Sequence, residues 1–209
     1  MSFLLHRQGV TSARLPPSQT PPILFEDNFD WGEGELAQRQ EWEDWFSSHD
    51  DRRLFVAASS GGYAYPERGH RRWCYMPCTV EPGPDQFAEA HFAAFPSSGR
   101  VEIRLRVDPQ AGERDCYTFG VMMSGWEIRK RIDGFTTTLN SADFSLPSAP
   151  FALRAEAVGS TLRLFLNGAQ LGTAVTDSAL LTGLTGLMMT SGDASNTSVR
   201  ASRFVCGSL

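Results

Sequence analysis

Carboxylates and imidazoles, the side chains that could do acid–base chemistry here, are sparse at useful spacings. Hydrolysing a glycosidic bond takes two carboxylates flanking one centre, one to protonate and one to attack or activate water. The densest acidic cluster is Glu41-Trp42-Glu43-Asp44. It falls in a stretch with helical character, where alternate residues do not share a face, so it reads as a solvated acidic surface. Glu89 and His91 lie two apart in a strand-like segment and share a face. They could work as an acid–base pair, although a part-exposed polar face accounts for them as well. No Gly-x-Ser-x-Gly elbow, phosphate-binding glycine loop or His-Glu-x-x-His string occurs. The expectation is a protein that is not an enzyme.

Recognition is the other chemistry to test. Sugars are held by aromatic planes that stack on the ring and by polar groups that read hydroxyls. Trp31, Trp42, Trp45, Trp73 and Trp126, with Tyr63, Tyr65 and Tyr75, are the available aromatics. In Trp126-Glu127-Ile128-Arg129-Lys130-Arg131-Ile132, residues 126, 128, 130 and 132 share one face, and Glu127, Arg129 and Arg131 share the other. Planar guanidinium groups in a row can grip acidic sugars, phosphates or an acidic protein. His70-Arg71-Arg72-Trp73 makes a second basic, aromatic spot in a loop-like stretch, where binding residues often sit. Trp73, Trp126, Arg71, Arg72, Arg129 and Arg131 are therefore the candidate glycan-binding or partner-binding residues.

The four cysteines are Cys74, Cys78, Cys116 and Cys206. Cys74 and Cys78 are too widely spaced for the usual zinc knuckle, and the nearest imidazole is His70. No Asp-x-Asp-x-Asp-Gly calcium run appears. No metal and no cofactor are expected. The thiols read as reduced, and a Cys74–Cys78 or Cys116–Cys206 disulfide would need an oxidising compartment.

Strands must position these groups, because the dominant period is two. Residues 101–107 alternate without a fault, which predicts one buried face and one wet face. Residues 126–132 and 151–157 behave likewise. Leu162, Leu164 and Leu166 alternate before Asn167-Gly168, the strongest short hairpin signal, since a type I′ turn needs positive φ at both central positions. Further strands are expected at 23–29, 85–95, 115–122, 135–139, 169–175, 184–190 and 199–205. Residues 34–42 form the one credible short helix, and 59–72 read as a loop region around Ser59-Ser60-Gly61-Gly62. About a dozen strands at regular spacing predict an all-β, antiparallel two-sheet sandwich or jelly roll. Residues 1–22 differ. Arg14-Leu15-Pro16-Pro17 and Thr20-Pro21-Pro22 impose an extended backbone, so this is an N-terminal arm preceding a sandwich over 23–209. Ordering it costs about 1–2 kcal/mol per residue. The arm is expected to be held by a neighbouring subunit through Phe3, Leu4, Leu5, Leu15, Pro16 and Pro17.

Composition sets outer limits. The chain has 209 residues, 41% hydrophobic and 21% charged, enough for a core and too apolar for wholesale disorder. The net charge of −5 argues against nucleic-acid binding. No apolar run approaches the ~20 residues of a bilayer span, so membrane insertion is not expected. Lys130 is the only lysine beside 18 arginines, a bias that points to a GC-rich genome.

Three stretches carry a likeness. They are the opening strand Leu24-Phe25-Glu26-Asp27-Asn28-Phe29, the hairpin from Phe151 to Gly168, and the ending Thr185-Gly186-Leu187-Met188-Met189-Thr190 with Ser202-Arg203-Phe204-Val205. Together they resemble the concanavalin A-like lectin/glucanase superfamily, in particular its laminin-G-like and carbohydrate-binding branches. The resemblance implies a curved two-sheet jelly roll whose last strand pairs near the first. It implies glycan binding only through the fold. Laminarinase-like members carry a Glu-x-Asp-x-x-Glu string, which this sequence lacks.

The functional expectation is a non-enzymatic lectin-like subunit of a larger assembly, foremost a phage virion component (capsid decoration or tail) docked through residues 1–22. It rests on the proline-rich arm, the lack of a catalytic constellation and the lack of a charged and then apolar secretion signal. The protein is then expected in a virion or other extracellular particle assembled in the cytoplasm. Two alternatives are a carbohydrate-binding module for surface glycans and a glycoside hydrolase with an unrecognised carboxylate pair.

Overall fold

The computed structural model describes residues 21–30, 34–35, 42, 54–57, 63–66, 74–95, 99–111, 114–190 and 199–209. Sixteen strands fall within them. They are β1 (Ile23–Asp27), β2 (Gly34–Glu35), β3 (Leu54–Ala57), β4 (Tyr63–Pro66), β5 (Cys74–Cys78), β6 (Gln86–Ala94), β7 (Arg100–Val107) and β8 (Cys116–Met122). There follow β9 (Gly125–Ile132), β10 (Phe135–Asp143), β11 (Phe151–Val158), β12 (Thr161–Leu166), β13 (Ala169–Gln170), β14 (Val175–Thr176), β15 (Leu184–Thr190) and β16 (Arg200–Ser208). They form two antiparallel sheets. The larger runs β13-β12-β11-β6-β16-β4-β3-β2, with β1 paired to β16 and β14 to β12; the smaller runs β10-β9-β8-β7-β15-β5. No helix among the described residues is long and apolar enough to cross a membrane.

Alternation in the sequence becomes the two faces of each sheet. Val101, Ile103, Leu105, Tyr117, Phe119, Val121, Ile128, Leu187 and Met189 point inward from the smaller sheet. Ala88, Ala90, Phe92, Leu153, Ala155, Ala157, Leu162, Leu164, Phe204 and Cys206 face them from the larger one. The alanines of β6 and β11 leave room for the bulk of β7, which packs across the core from both strands. The hairpin turn is as expected: φ is 50° at Asn167 and 79° at Gly168, the left-handed pair that links β12 to β13. The first strand lies against the last, with Phe25 opposite Cys206 and Asp27 opposite Phe204.

Several expectations are corrected. The described part of 34–42 is not helical: Gly34–Glu35 pairs with Val56 and Phe55, and Trp42 bridges Cys78. The reason lies in the core. Trp42 is 2% exposed among Phe25, Phe29 and Phe204, and its indole N–H donates to buried Asp27 at 2.9 Å. Asp27 also accepts the Phe29 amide at 2.8 Å, which explains a polar residue at an inward position. The loop region 59–72 contains strand β4. Residues 169–175 form two short strands, β13 and β14, both paired to β12. Residues 101–107 have no wet face, since Glu102, Arg104 and Arg106 are as buried as their apolar neighbours.

The two disulfide pairings also fail. Cys74 and Cys78 occupy one strand, where four residues span roughly 13 Å at about 3.3 Å each, beyond the ~7 Å a disulfide tolerates. Cys116 belongs to a small separate cluster with Val107, Leu184 and Met188, whereas Cys206 lies in the main core. Cys78, Cys116 and Cys206 are free and buried.

The segment after β14, through residue 183, is fastened to the end of the sandwich by Tyr117, which is buried. Its hydroxyl donates to Asp177 Oδ1 at 2.6 Å and accepts the Leu180 amide at 3.1 Å, while Lys130 Nζ meets Asp177 Oδ2 at 2.6 Å. Burial, then the hydrogen bond to Asp177, pushes the Tyr117 phenol up to about 12. The folded state therefore favours the neutral phenol. That contribution is whole below the ordinary value of 10.0 and is lost as pH rises from there toward about 12. In an ultraviolet titration of the native protein, Tyr117 is expected to give an ionisation step near pH 12. Tyr117→Phe should remove that step.

Candidate functional site

On the smaller sheet, the face turned away from the core carries an interlocked set of charges. β7 supplies Arg100, Glu102 and Arg104 at alternate positions, and β9 supplies Glu127 and Arg129. Between them on β8, Gly120 stands opposite both Glu102 and Glu127, and Thr118 opposite Arg104 and Arg129. Gly120 leaves room for them, since a Cβ there would come 2.9 Å from Arg100 Nη2 and 3.2 Å from Glu102 Cγ and would push the Arg100 head aside.

Glu102 is the centre of the set and is fully buried. Its Oε1 accepts from Arg100 Nε at 2.5 Å and from Arg129 Nη2, and its Oε2 lies 3.5 Å from Arg104 Nη2. Glu127 Oε1 pairs with Arg100 Nη1 and lies 3.5 Å from Arg129 Nε. Arg129 Nε also donates to Thr118 Oγ1 at 3.3 Å. Burial alone would raise the Glu102 pKa, but Arg104, Arg100 and Arg129 outweigh it and hold the carboxyl below its ordinary value.

A groove of about 380 Å³ opens where β8 turns into β9 and alongside β10. Ser124, Gly125, Glu127, Ser141 and Asp143 supply its polar lining, and Met122, Trp126 and Ala142 the rest. Ser141 is directly opposite Glu127, and Asp143 is opposite Gly125. Glu127 thus belongs to both the groove and the charged set, making them one continuous surface.

The sequence candidates are distributed unevenly over this surface. Arg129 lies inside the charged set. Arg131 is on the same face but further along, its Nε donating to Gly134 O at 3.3 Å. Trp126 lines the groove yet is only 5% exposed. Gly172, at φ 60°, sits so close over the indole that a Cβ there would be 2.5 Å from Cζ2 and Cη2. Trp126 therefore serves mainly as core. Arg71, Arg72 and Trp73, and the arm residues Phe3, Leu4, Leu5, Leu15, Pro16 and Pro17, lie outside the described residues. Glu89 and His91 do share a face and meet at 2.7 Å, on the outer side of the larger sheet beside Arg154. Sequence reasoning missed Arg100, Glu102, Arg104 and Asp143. The alternation of 100–107 was the available signal, and only its polar half was misjudged as solvated.

No family profile and no curated protein matches the chain by sequence. Solved structures do match it in three dimensions. A Bacillus subtilis protein of unknown function with a galectin-like fold aligns with a TM-score of 0.66 at 11% identity, covering 90% of this chain and 97% of the other. The fold is the concanavalin A-like jelly roll. Two further jelly rolls illustrate its range. A Bacillus licheniformis beta-glucanase aligns with a TM-score of 0.58 at 12% identity, covering 91% of this chain and all of that one. The carbohydrate-binding module CBM66 of Bacillus subtilis aligns with a TM-score of 0.53 at 16% identity over 68% and 83%.

Proposed function

We propose that this jelly roll is a carbohydrate-binding protein without catalytic activity, and that its ligand lies in the groove beside Glu127 and against the charged face. The observation that carries this reading is the continuity of an open polar groove with a rigid lattice of guanidinium and carboxylate groups. A sugar hydroxyl both donates and accepts. Glu127 and Arg129, the partly exposed members of the set, are held by Arg100 and buried Glu102 and offer both partners at fixed positions without ordering entropy to lose on binding. That one structural neighbour is a carbohydrate-binding module agrees with the reading, although the shared fold alone decides nothing about activity.

Hydrolysis is less well supported. A glycosidase needs one carboxyl group able to give a proton to the leaving oxygen. Glu127 is instead engaged by Arg100 and Arg129, and Asp143 sits in the same groove with no such partner among the hydrogen bonds described. Docking in a particle through residues 1–22 has no observation in its favour, since residues 1–20 lie outside those described.

The test is a glycan-array screen followed by calorimetric titration with the best oligosaccharide. Wild type is expected to bind. Arg129→Ala and Asp143→Ala are each expected to weaken binding about tenfold or more, the equivalent of about 1.4 kcal/mol. Asp143→Ala should do so with an unchanged melting temperature. Binding to no glycan, or binding indifferent to both substitutions, would refute the proposal.

A further inference from the structure

We propose that Cys78 and Cys206 are a redox pair that closes into a disulfide joining the two sheets. The inference stands apart from glycan binding and rests on where β5 and β16 meet. Cys78 ends β5, at the edge of the smaller sheet, and is directly opposite Thr185 of β15. Cys206 lies on β16 of the larger sheet, flanked across the strands by Phe25 and Ala88. Both point into the core, both are fully buried, and both belong to the same cluster.

The sheets are tied together at this edge, where Gln86 Nε2 of β6 donates to Gly183 O just ahead of β15 at 3.1 Å and Ser208 Oγ of β16 donates to Pro82 O just beyond β5, and the Cys206 and Cys78 thiols neighbour each other there. Facing sheets ordinarily lie about 10 Å apart, so two sulfurs in contact mark a place where the layers reach each other. Immunoglobulin-type sandwiches use such a place for their inter-sheet disulfide. A Cys74–Cys78 bond is excluded because the two share a strand, and Cys116 lies in the other cluster. In the folded state, hydrogen bonding from Cys78 holds the Cys206 thiol below its usual range in spite of burial.

The oxidant is a low-molecular-weight disulfide such as oxidised glutathione. Cys206 thiolate attacks one of its sulfurs, forming a mixed disulfide and releasing one small thiol. Cys78 thiolate then attacks the Cys206 sulfur, forming the protein disulfide and releasing the second small thiol. Two protein thiols are oxidised, one small disulfide is reduced to two thiols, and the protons are conserved. Because both sulfurs are buried, the exchange takes place while the sandwich is folding. The bond then closes a loop spanning more than half the chain, which restricts the unfolded state strongly.

The experiment refolds the full chain in a glutathione redox buffer and, in parallel, in excess dithiothreitol. Each product is then denatured, alkylated and weighed intact, and its cross-linked peptides are mapped. After oxidative refolding, two alkylated cysteines and one Cys78–Cys206 peptide are expected. The melting temperature should lie about 10 °C above the reduced form, and reductant should reverse the gain. The double variant Cys74→Ser, Cys116→Ser should retain the cross-link, and Cys206→Ser should abolish it. Four alkylated cysteines after oxidative refolding, or a cross-link between any other pair, would overturn the proposal. The wild-type measurement decides this even where a variant fails to fold.

Discussion

Glu102→Gln is expected to melt about 10 °C below the wild type and to lose glycan binding. Three arginines converge on this one buried carboxylate. The amide keeps the shape but not the charge, so Arg100, Arg104 and Arg129 would face one another in a poorly solvated site. Removing one partner of a buried ion pair costs about 3–5 kcal/mol, and each kcal/mol moves the melting temperature of a chain this size by roughly 2–4 °C. The pH dependence has a definite sign. The Glu102 carboxyl is held below its ordinary value of 4.5 in the fold, because the arginines outweigh the opposing effect of burial. Its stabilising contribution is therefore whole above about 4.5 and is lost as pH falls below that toward the folded value. Denaturant midpoints measured from neutral pH downward should show a steep loss in the wild type below this point and a shallower one in Glu102→Gln. Equal slopes would mean that Glu102 is not the group that makes the fold acid-sensitive.

Arg106→Ala should be comparably destabilising while leaving the groove chemistry intact. Arg106 is fully buried at the end of β7, with φ of 53°. Its guanidinium donates to three carbonyls, Leu180 O and Pro84 O at 2.8 Å and Gly159 O at 2.7 Å. Its backbone amide donates to Gln86 Oε1 at 3.0 Å, and Gln86 Nε2 reaches Gly83 O at 2.7 Å and Gly183 O at 3.1 Å. One side chain thus fastens three connections that leave different strands. Hydrogen bonds to a charged group contribute about 1.5–3 kcal/mol each. Losing all three, with the carbonyls left buried, should lower the melting temperature by about 10 °C or more. Arg106→Lys keeps the charge but not the planar fork, so it should recover only part of the loss. If Arg106→Ala melts with the wild type, the clamp does not carry the stability assigned to it.

Much of the architecture was legible in the residues. The alternation at 101–107, 126–132 and 151–157 became β7, β9 and β11 within a residue at either end. Asn167-Gly168 turned where its chemistry required. The illegible parts have a common cause. Gly34–Glu35 and Leu54–Ala57 are too short for a period to show, and they exist as strands because a partner is present. Trp42, in a segment with helical propensity, is drawn into the core by three phenylalanines and by Asp27, which accepts its indole proton.

The candidate site divides in the same way. Arg129 was recognisable from its position on an outward strand face. That it shares Glu102 with Arg100 and Arg104 depends on the register of β7, β8 and β9. Periodicity and turn preference involve residues a few positions apart, so the amino-acid order by itself determined the strands, the hairpin and the all-β class. Side chains from distant strands meet only after register and sheet stacking are set. The burial of Glu102, the withdrawal of Trp126 beneath Gly172 and the meeting of Cys78 with Cys206 were decided by the tertiary structure alone, because each needs a neighbour that local sequence does not specify.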